Sequence, residues 1–391
     1  MTRVATGLEN LLNSPPEYLK NKKIGLLAHQ ASISIDGIST LDCLLSAGFK
    51  IARIFGPEHG YAAAAQDMAG VSTSKHKDLQ VVSLYGDSFE SLFPRIEDLE
   101  DLDWLIVDLQ DIGSRYYTYF TTLGFTMEQA HKADCSVLVL DRPNPINGQT
   151  LEGNMLTEGI RSFVGWYRLP VRHGMTIGEL AQWLNDTYSI CSDLRVIPCS
   201  GWRRSMWYDK TGLPWVLPSP NMPTLDTAAV YPGGCLLEAT NLSEGRGTTK
   251  PFELFGAPWL DAETLANRMR AHKLEGVIFR PTVFQPTFQK FKGEDCNGLQ
   301  IHVSDRSSFK SYLCYLLLIN EIASMHPKHF AWRTEEYEFV SDPLAIDLLT
   351  GDTDAKELIE AHASKRDFEV FSVKGLEQFK KERQRFLIYD N

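Results

Sequence analysis

Five short apolar runs recur through the first part of the chain: KIGLLA (Lys23–Ala28), IARIF (Ile51–Phe55), LQVVSL (Leu79–Leu84), WLIVDL (Trp104–Leu109) and VLVLD (Val137–Asp141). They are rich in β-branched and other apolar residues and lack a clean apolar–polar alternation. Strands buried on both faces of a parallel sheet read this way. Helix signals lie between them. Ser39 can cap a helix carrying Leu41, Leu44 and Leu45 on one face, with Gly48 as its stop. Tyr117–Ala133 is expected to be helical, although Gly124 leaves its start open. Thr176 and Glu179 form a capping box ahead of Ile177, Leu180, Ala181 and Leu184. A further strand is expected at Leu194–Cys199. Such alternation implies an open, doubly wound α/β sheet.

The chain then changes character. Residues 200–260 are rich in Trp, Pro, Gly and Asn, and helices and short strands resume at Asp261–His272, Ser307–Met325 and Gly375–Phe386. A boundary near residue 228 would give a Rossmann-like catalytic domain (1–227) and a smaller mixed α/β domain (228–391), with a cleft between them. A length of 391 residues fits two domains.

All strand-to-helix loops of a parallel sheet open on one edge. That edge would collect His29-Gln30, GPEHG (Gly56–Gly60), Tyr85-Gly86, the set Asp108, Gln110, Asp111, Arg115, Tyr116, Tyr117 and Tyr119, and Asp141, Arg142 and Asn144. The opposite edge carries only turn and solubility residues such as Gly48–Lys50 and Glu100–Asp103. The asymmetry points to a crevice at the carboxyl ends of the strands. A second dense stretch, NLSEGRGTTKPFE (Asn241–Glu253), sets Glu244 and Arg246 among glycines that allow close backbone approach.

Several function classes fall away. A net charge of −11 with no concentrated basic surface argues against nucleic acid as partner. No apolar stretch is long enough to span a membrane, and the N-terminus lacks an apolar signal core, so the chain reads as cytoplasmic. Seven scattered cysteines without a CxxC read as reduced thiols. No G-x-G-x-x-G follows the first strand, and there is no GxxxxGK[ST], so nucleotide binding has no support. Glu58 and His59 can equally be a cap and a carbonyl-bonded imidazole; Asp108 and Asp111 can be structural acids for Arg115. Ten histidines without HxH or HExxH give no ready metal site, though His29, Glu58, His59 and Asp108 could meet as one.

Taken together, the phrases GPEHG, SLYG, DLQDIGSRYYTY, LDRPNP, RHGMTIGELA, WVLPSPNMPTL, YPGGCLLEATNLSEGRGTTKPFE and GAPW stand here in family order. From about Gly7 to near the C-terminus, where FAWRTEEYEF and FLIY also look familiar, the chain resembles the NamZ-type exo-β-N-acetylmuramidases, once catalogued as a domain of unknown function. The resemblance implies release of N-acetylmuramic acid from the non-reducing end of peptidoglycan fragments, a Rossmann-like first domain, a smaller second domain, a cleft between them and no cofactor. The family pattern continues GPEHG with Phe-Arg-Gly; Tyr61-Ala62-Ala63 stands here, which removes an Arg and leaves the preferred sugar open.

Glycoside hydrolysis needs a proton donor and a second carboxylate, or the substrate's own acetamido group. Glu58 is the expected general acid, with Asp111 and Glu244 as candidates for the second role. Tyr116 and Tyr119 are expected to line the sugar site, and His29, Gln30 and His59 to stand beside it. Arg246, or else Arg115 or Arg142, would clamp the lactyl carboxylate, and Asn144 and Asn221 would bond ring hydroxyls. The rival readings are a metal-dependent hydrolase built on His29, Glu58, His59 and Asp108, and a non-catalytic two-lobed sugar-binding protein.

Overall fold

The structure, a computed structural model, describes residues 3–66 and 68–391. Twelve strands are found among them: β1 (Lys23–Ala28), β2 (Lys50–Gly56), β3 (Ser74–His76), β4 (Leu79–Ser83), β5 (Trp104–Asp108), β6 (Ser136–Leu140), β7 (Glu152–Met155), β8 (Pro170–Arg172), β9 (Leu194–Ile197), β10 (Leu254–Ala257), β11 (Val277–Phe284) and β12 (Cys296–Val303). The main sheet has the order β3-β4-β2-β1-β5-β6-β9. Only β3 is antiparallel. Counted alone in chain order, the six parallel strands run 3-2-1-4-5-6, the order of the doubly wound dinucleotide fold.

The absence of alternation in the apolar runs has its cause in this sheet. Trp104 and Ile106 of β5 enter one buried cluster with Leu26, Ile54 and Leu138. Leu105 and Val107 enter the other, with Leu27, Phe55 and Val137. Both faces are covered, so Trp104–Val107 are all apolar, and burying each such side chain is worth about 1.5–3 kcal/mol. The helices start where their caps predict. Ser39 accepts from Asp42 N ahead of helix Thr40–Ser46, the Thr176–Glu179 box opens helix Ile177–Thr187, and Asp261 caps Ala262–Ala271.

The later part carries the antiparallel sheet β10-β12-β11 and the long buried helix Ser311–Met325. Residues 200–260 are more ordered than their Pro and Gly content suggests. Helix Leu225–Gly234 runs through Pro232 into a 3₁₀ segment, Cys235–Ala239. It lies hard against Ser311–Met325: Gly233 N donates to Ser311 Oγ at 2.9 Å, and a Cβ on Gly233 would come within 2.2 Å of the Ser311 carbonyl oxygen. One apolar cluster extends from Leu27 to Phe386 and ties the early and late parts together. The C-terminal segment turns back onto the first sheet, where the Tyr389 hydroxyl accepts from Cys199 N at 2.9 Å and Ile388 N donates to Glu179 Oε1 at 2.8 Å. All seven cysteines are unpaired. Among the described residues no helix is long and apolar enough to cross a membrane.

Candidate active site

The GPEHG turn follows β2 directly. Gly56 is required by crowding, since a Cβ there would stand 2.6 Å from Tyr61 N. His59 adopts a left-handed φ of 69°, a conformation that is costly for a residue with a Cβ. The turn is held by Gly60 N donating to Pro57 O at 2.9 Å and by His59 Nδ1 against Ala65 O at 2.9 Å. This geometry carries Glu58, 7% exposed, to the start of helix Tyr119–Lys132. Thr118 occupies the N-cap position there but makes no capping bond. Its Oγ1 instead donates to Glu58 Oε2 at 2.6 Å. Glu58 Oε1 has no hydrogen bond to protein among the described residues.

Glu58 lines the blind end of a cleft, a cavity of about 40 Å³ shared with Tyr117, Tyr119, Asn221, Glu238 and Glu338. Tyr117 stands edge-on to Tyr119 and Tyr231, with centroids 4.9 and 5.8 Å apart. Burial raises the Tyr116, Tyr117, Tyr119, Tyr231 and Tyr337 phenols well above their ordinary range, so they stay neutral hydroxyls. Glu238 and Arg246 also line an adjoining chamber of about 800 Å³, together with Glu244, Lys290, Trp332 and Arg333. Glu238 is tightly held: Arg246 Nη2 donates to Oε1 at 2.9 Å and the Tyr337 hydroxyl to Oε2 at 2.7 Å. Glu338 Oε2 accepts from the Tyr85 hydroxyl at 2.9 Å. A cavity of roughly 150 Å³ is what a benzene ring occupies. The blind end therefore has room for water, while the chamber has the size of a small-molecule site.

The expected site residues divide. Glu58, His59, Tyr116, Tyr119, Asn221 and Arg246 border the blind end, and Glu244 the chamber. His29, Gln30, Asp111, Arg115, Arg142 and Asn144 border neither. Arg115 is fully buried and donates to the carbonyls of Asn154, Leu169, Leu349 and Thr350 at 2.7–3.0 Å, which removes it as an anion clamp. Arg142 is removed likewise: it forms a bidentate pair with Asp108 and reaches Ile33 O. Asn144 bonds Met175 O and Ile146 N. Asp111 accepts from Gly113 N at 2.6 Å and faces His173 Nε2 at 3.6 Å. His29, Gln30 and Tyr119 act one step back: His29 Nδ1 and the Tyr119 hydroxyl meet Pro218 O, and Gln30 Nε2 donates to Leu217 O. Together they fix the loop that presents Asn221, which donates to Gln66 Oε1 at 2.9 Å. Tyr116 likewise has its hydroxyl on Pro232 O.

The fold's usual ligand crevice, between β1 and β5, is filled by the protein itself, since His29 Nε2 accepts from Gln110 N across it at 2.9 Å. The metal cluster of the rival reading does not form among the described residues. His29 and Asp108 are taken by those bonds, and among the described residues no three His, Cys, Asp or Glu are grouped to hold an ion. Ala62, at the departure from the family pattern, borders a separate hollow of about 310 Å³ with His76. Glu238, Tyr337 and Glu338 were not anticipated. Glu238 sits inside YPGGCLLEATNL and the other two inside FAWRTEEYEF, so their motifs were visible but their convergence was not.

Comparison with known proteins agrees with this architecture. Residues 24–226 match the family model described as exo-beta-N-acetylmuramidase NamZ, N-terminal, and residues 229–389 its C-terminal counterpart. The chain is 41% identical over 390 residues to the peptidoglycan beta-N-acetylmuramidase NamZ of Bacillus subtilis (strain 168), covering 99% of this chain and 92% of that one. It is similar to two solved DUF1343 family proteins of Bacteroides fragilis NCTC 9343. One has a TM-score of 0.88 at 32% identity, the other 0.79 at 29%, each alignment covering both chains completely. A chain whose two halves match both family models, and which is 41% identical to a curated member over nearly its whole length, belongs to the NamZ family of exo-beta-N-acetylmuramidases.

Proposed function

We propose that the protein hydrolyses the glycosidic bond of N-acetylmuramic acid at the non-reducing end of peptidoglycan fragments, with Glu58 as general acid. The observation that carries this is Glu58 itself: buried at the closed end of the cleft, one oxygen held by Thr118 at 2.6 Å, the other open for a proton. The second group is Glu238, which borders the same cavity and is oriented by Arg246 and Tyr337. It replaces Asp111, which borders neither cavity, and Glu244, whose Oε2 accepts from Lys290 at 3.0 Å. Phenols and the Asn221 amide surround the reacting end, as a sugar requires.

The division near residue 228 belongs to this reading, with Glu58 before it and Glu238 and Tyr337 after it. The continuous apolar cluster across both parts argues for a rigid cleft rather than two lobes closing on a ligand. Seven free thiols suit a reducing compartment, and we place the reaction in the cytoplasm, on imported fragments. Glu58→Gln keeps the shape and removes the acid. Turnover of a chromogenic β-N-acetylmuramide should fall about 10²- to 10⁴-fold. Near wild-type turnover would remove Glu58 from the mechanism. Tight binding of the sugar by wild-type protein, with no product over long incubation, would return the protein to the sugar-binding class.

A further inference from the structure

The chamber outside Glu58 has three cations on its wall, and two are neutralised. Arg246 lies 2.9 Å from Glu238 and 3.9 Å from Glu244, and Lys290 lies 3.0 Å from Glu244. The third, Arg333, has no carboxylate within ion-pair distance among the described residues. Its Nε is buried without a hydrogen-bond partner. Its Nη2 reaches Glu336 O at 3.1 Å and the Met68 thioether at 3.5 Å, the latter a weak acceptor. Glu335, also on the wall, carries a negative charge near it without a pair being formed. Arg333 Nη1 makes no hydrogen bond among the described residues, and a guanidinium with an open donor at the wall of a ligand-sized chamber suits a carboxylate.

Arg333 is also held in place. Its guanidinium lies over the Tyr337 ring, 5.2 Å from the centroid, and its backbone N donates to Ala239 O at 2.8 Å. The Tyr337 hydroxyl on the same ring holds Glu238. Arg333 is therefore one aromatic ring away from Glu238. The lactyl ether of muramic acid is carried on C3, two ring carbons from the anomeric centre. Its carboxylate must lie beside the reacting bond but not on it. The blind end is too small for the ring, which puts the sugar, and its anion, in the chamber.

We propose that Arg333, and not Arg246, reads the lactyl carboxylate of the terminal sugar. This rests on the muramidase reading above. The experiment compares kcat/KM for three chromogenic substrates: a β-N-acetylmuramide, its lactyl methyl ester and the β-N-acetylglucosaminide. Wild type, Arg333→Gln, Arg333→Met and Arg333→Lys are each assayed after a check of Tm. The wild type should prefer the acid over the ester. That preference should shrink about 10- to 100-fold in the Gln and Met variants, mainly through KM, and recover in part in the Lys variant. Met keeps an unbranched apolar stem against Tyr337 if Gln fails to fold. An acid-to-ester ratio equal to wild type in a folded Gln or Met variant overturns the assignment while leaving the enzyme a muramidase. Wild-type protein inert on all three substrates overturns both.

Discussion

His29 should make the protein lose stability in mild acid, by an amount that the structure sets. The side chain is 2% exposed at the end of β1. Its Nε2 accepts from Gln110 N at 2.9 Å, so that nitrogen carries no proton and Nδ1–H is left to donate to Pro218 O at 3.2 Å. Protonation would set an N–H against an N–H. Burial first, and the Arg142 cation second, lower the imidazole from 6.5 to about 3. The unfolded chain therefore takes up a proton below pH 6.5 while the native chain does not. The stability from this group is complete above 6.5 and is lost as pH falls from 6.5 toward 3. Each pH unit inside the window costs about 1.4 kcal/mol. From pH 6.5 to 5 the loss is about 2 kcal/mol, and the whole window bounds it at about 5. At roughly 2.1 cal/mol/K per residue, unfolding a chain of this size carries about 0.8 kcal/mol/K, so 2 kcal/mol lowers Tm by about 2–3 °C. The assay is scanning calorimetry from pH 7.5 to 5, where few carboxylates titrate, on wild type and His29→Gln. The amide offers one donor and one acceptor to the same partners but cannot be protonated. The variant should show a shallower acid slope by that amount. Identical slopes would mean that His29 titrates normally in the native protein and that the bond to Gln110 does not fix its tautomer.

Two further substitutions separate the working cleft from its frame. Tyr337→Phe removes the donor to Glu238 Oε2 but keeps the ring beneath Arg333. It should lower kcat/KM about 10- to 100-fold while the acid-to-ester preference stays; an unchanged kcat/KM would show that Glu238 needs no such orientation. Arg115→Met removes a donor from four buried carbonyls, of which Thr350 O and Leu169 O keep a second one. It should cost about 3–5 kcal/mol, as breaking a buried charged network does, read as a lower denaturation midpoint. A midpoint within 1 kcal/mol of wild type (roughly) would mean that water replaces the guanidinium easily.

The main sheet was legible because its strands are buried on both faces, and such strands announce themselves as unbroken apolar runs. Strands of three or four residues such as β3, β7 and β8 are too short to carry a pattern. Helix Leu225–Gly234 was hidden by Pro232, whose position depends on the neighbouring Ser311–Met325 rather than on local preference. The polar loops at the strand ends were legible as important but not as to why. Irregular backbone inside a protein must have its carbonyls satisfied, and Arg115, Arg142 and Asn144 do this work. Their chemistry is the same as that of a ligand clamp, so residue type alone does not separate the two. Glu58 stood out because its turn is unusual in itself. Glu238, Arg333 and Tyr337 come from the later part of the chain, where no strand-edge rule gathers residues, and only tertiary packing brings Glu238 and Tyr337 beside Glu58 and Arg333 to the adjoining chamber.

The return of the C-terminal segment has a consequence for how the protein is made. Strand β9 closes the main sheet at residue 197, yet the groups just beyond it wait for partners about 190 positions further on: Cys199 N for the Tyr389 hydroxyl, Arg204 N for Asp390 O. On a ribosome that adds residues one by one, the first sheet can form early but stays unlatched until almost all of the chain shown here has emerged. Domain-by-domain folding, the ordinary route for a chain of this size, would be interrupted at its last step. Nascent chains stalled before Tyr389 should be open to protease at the β9 edge, and completed ones closed.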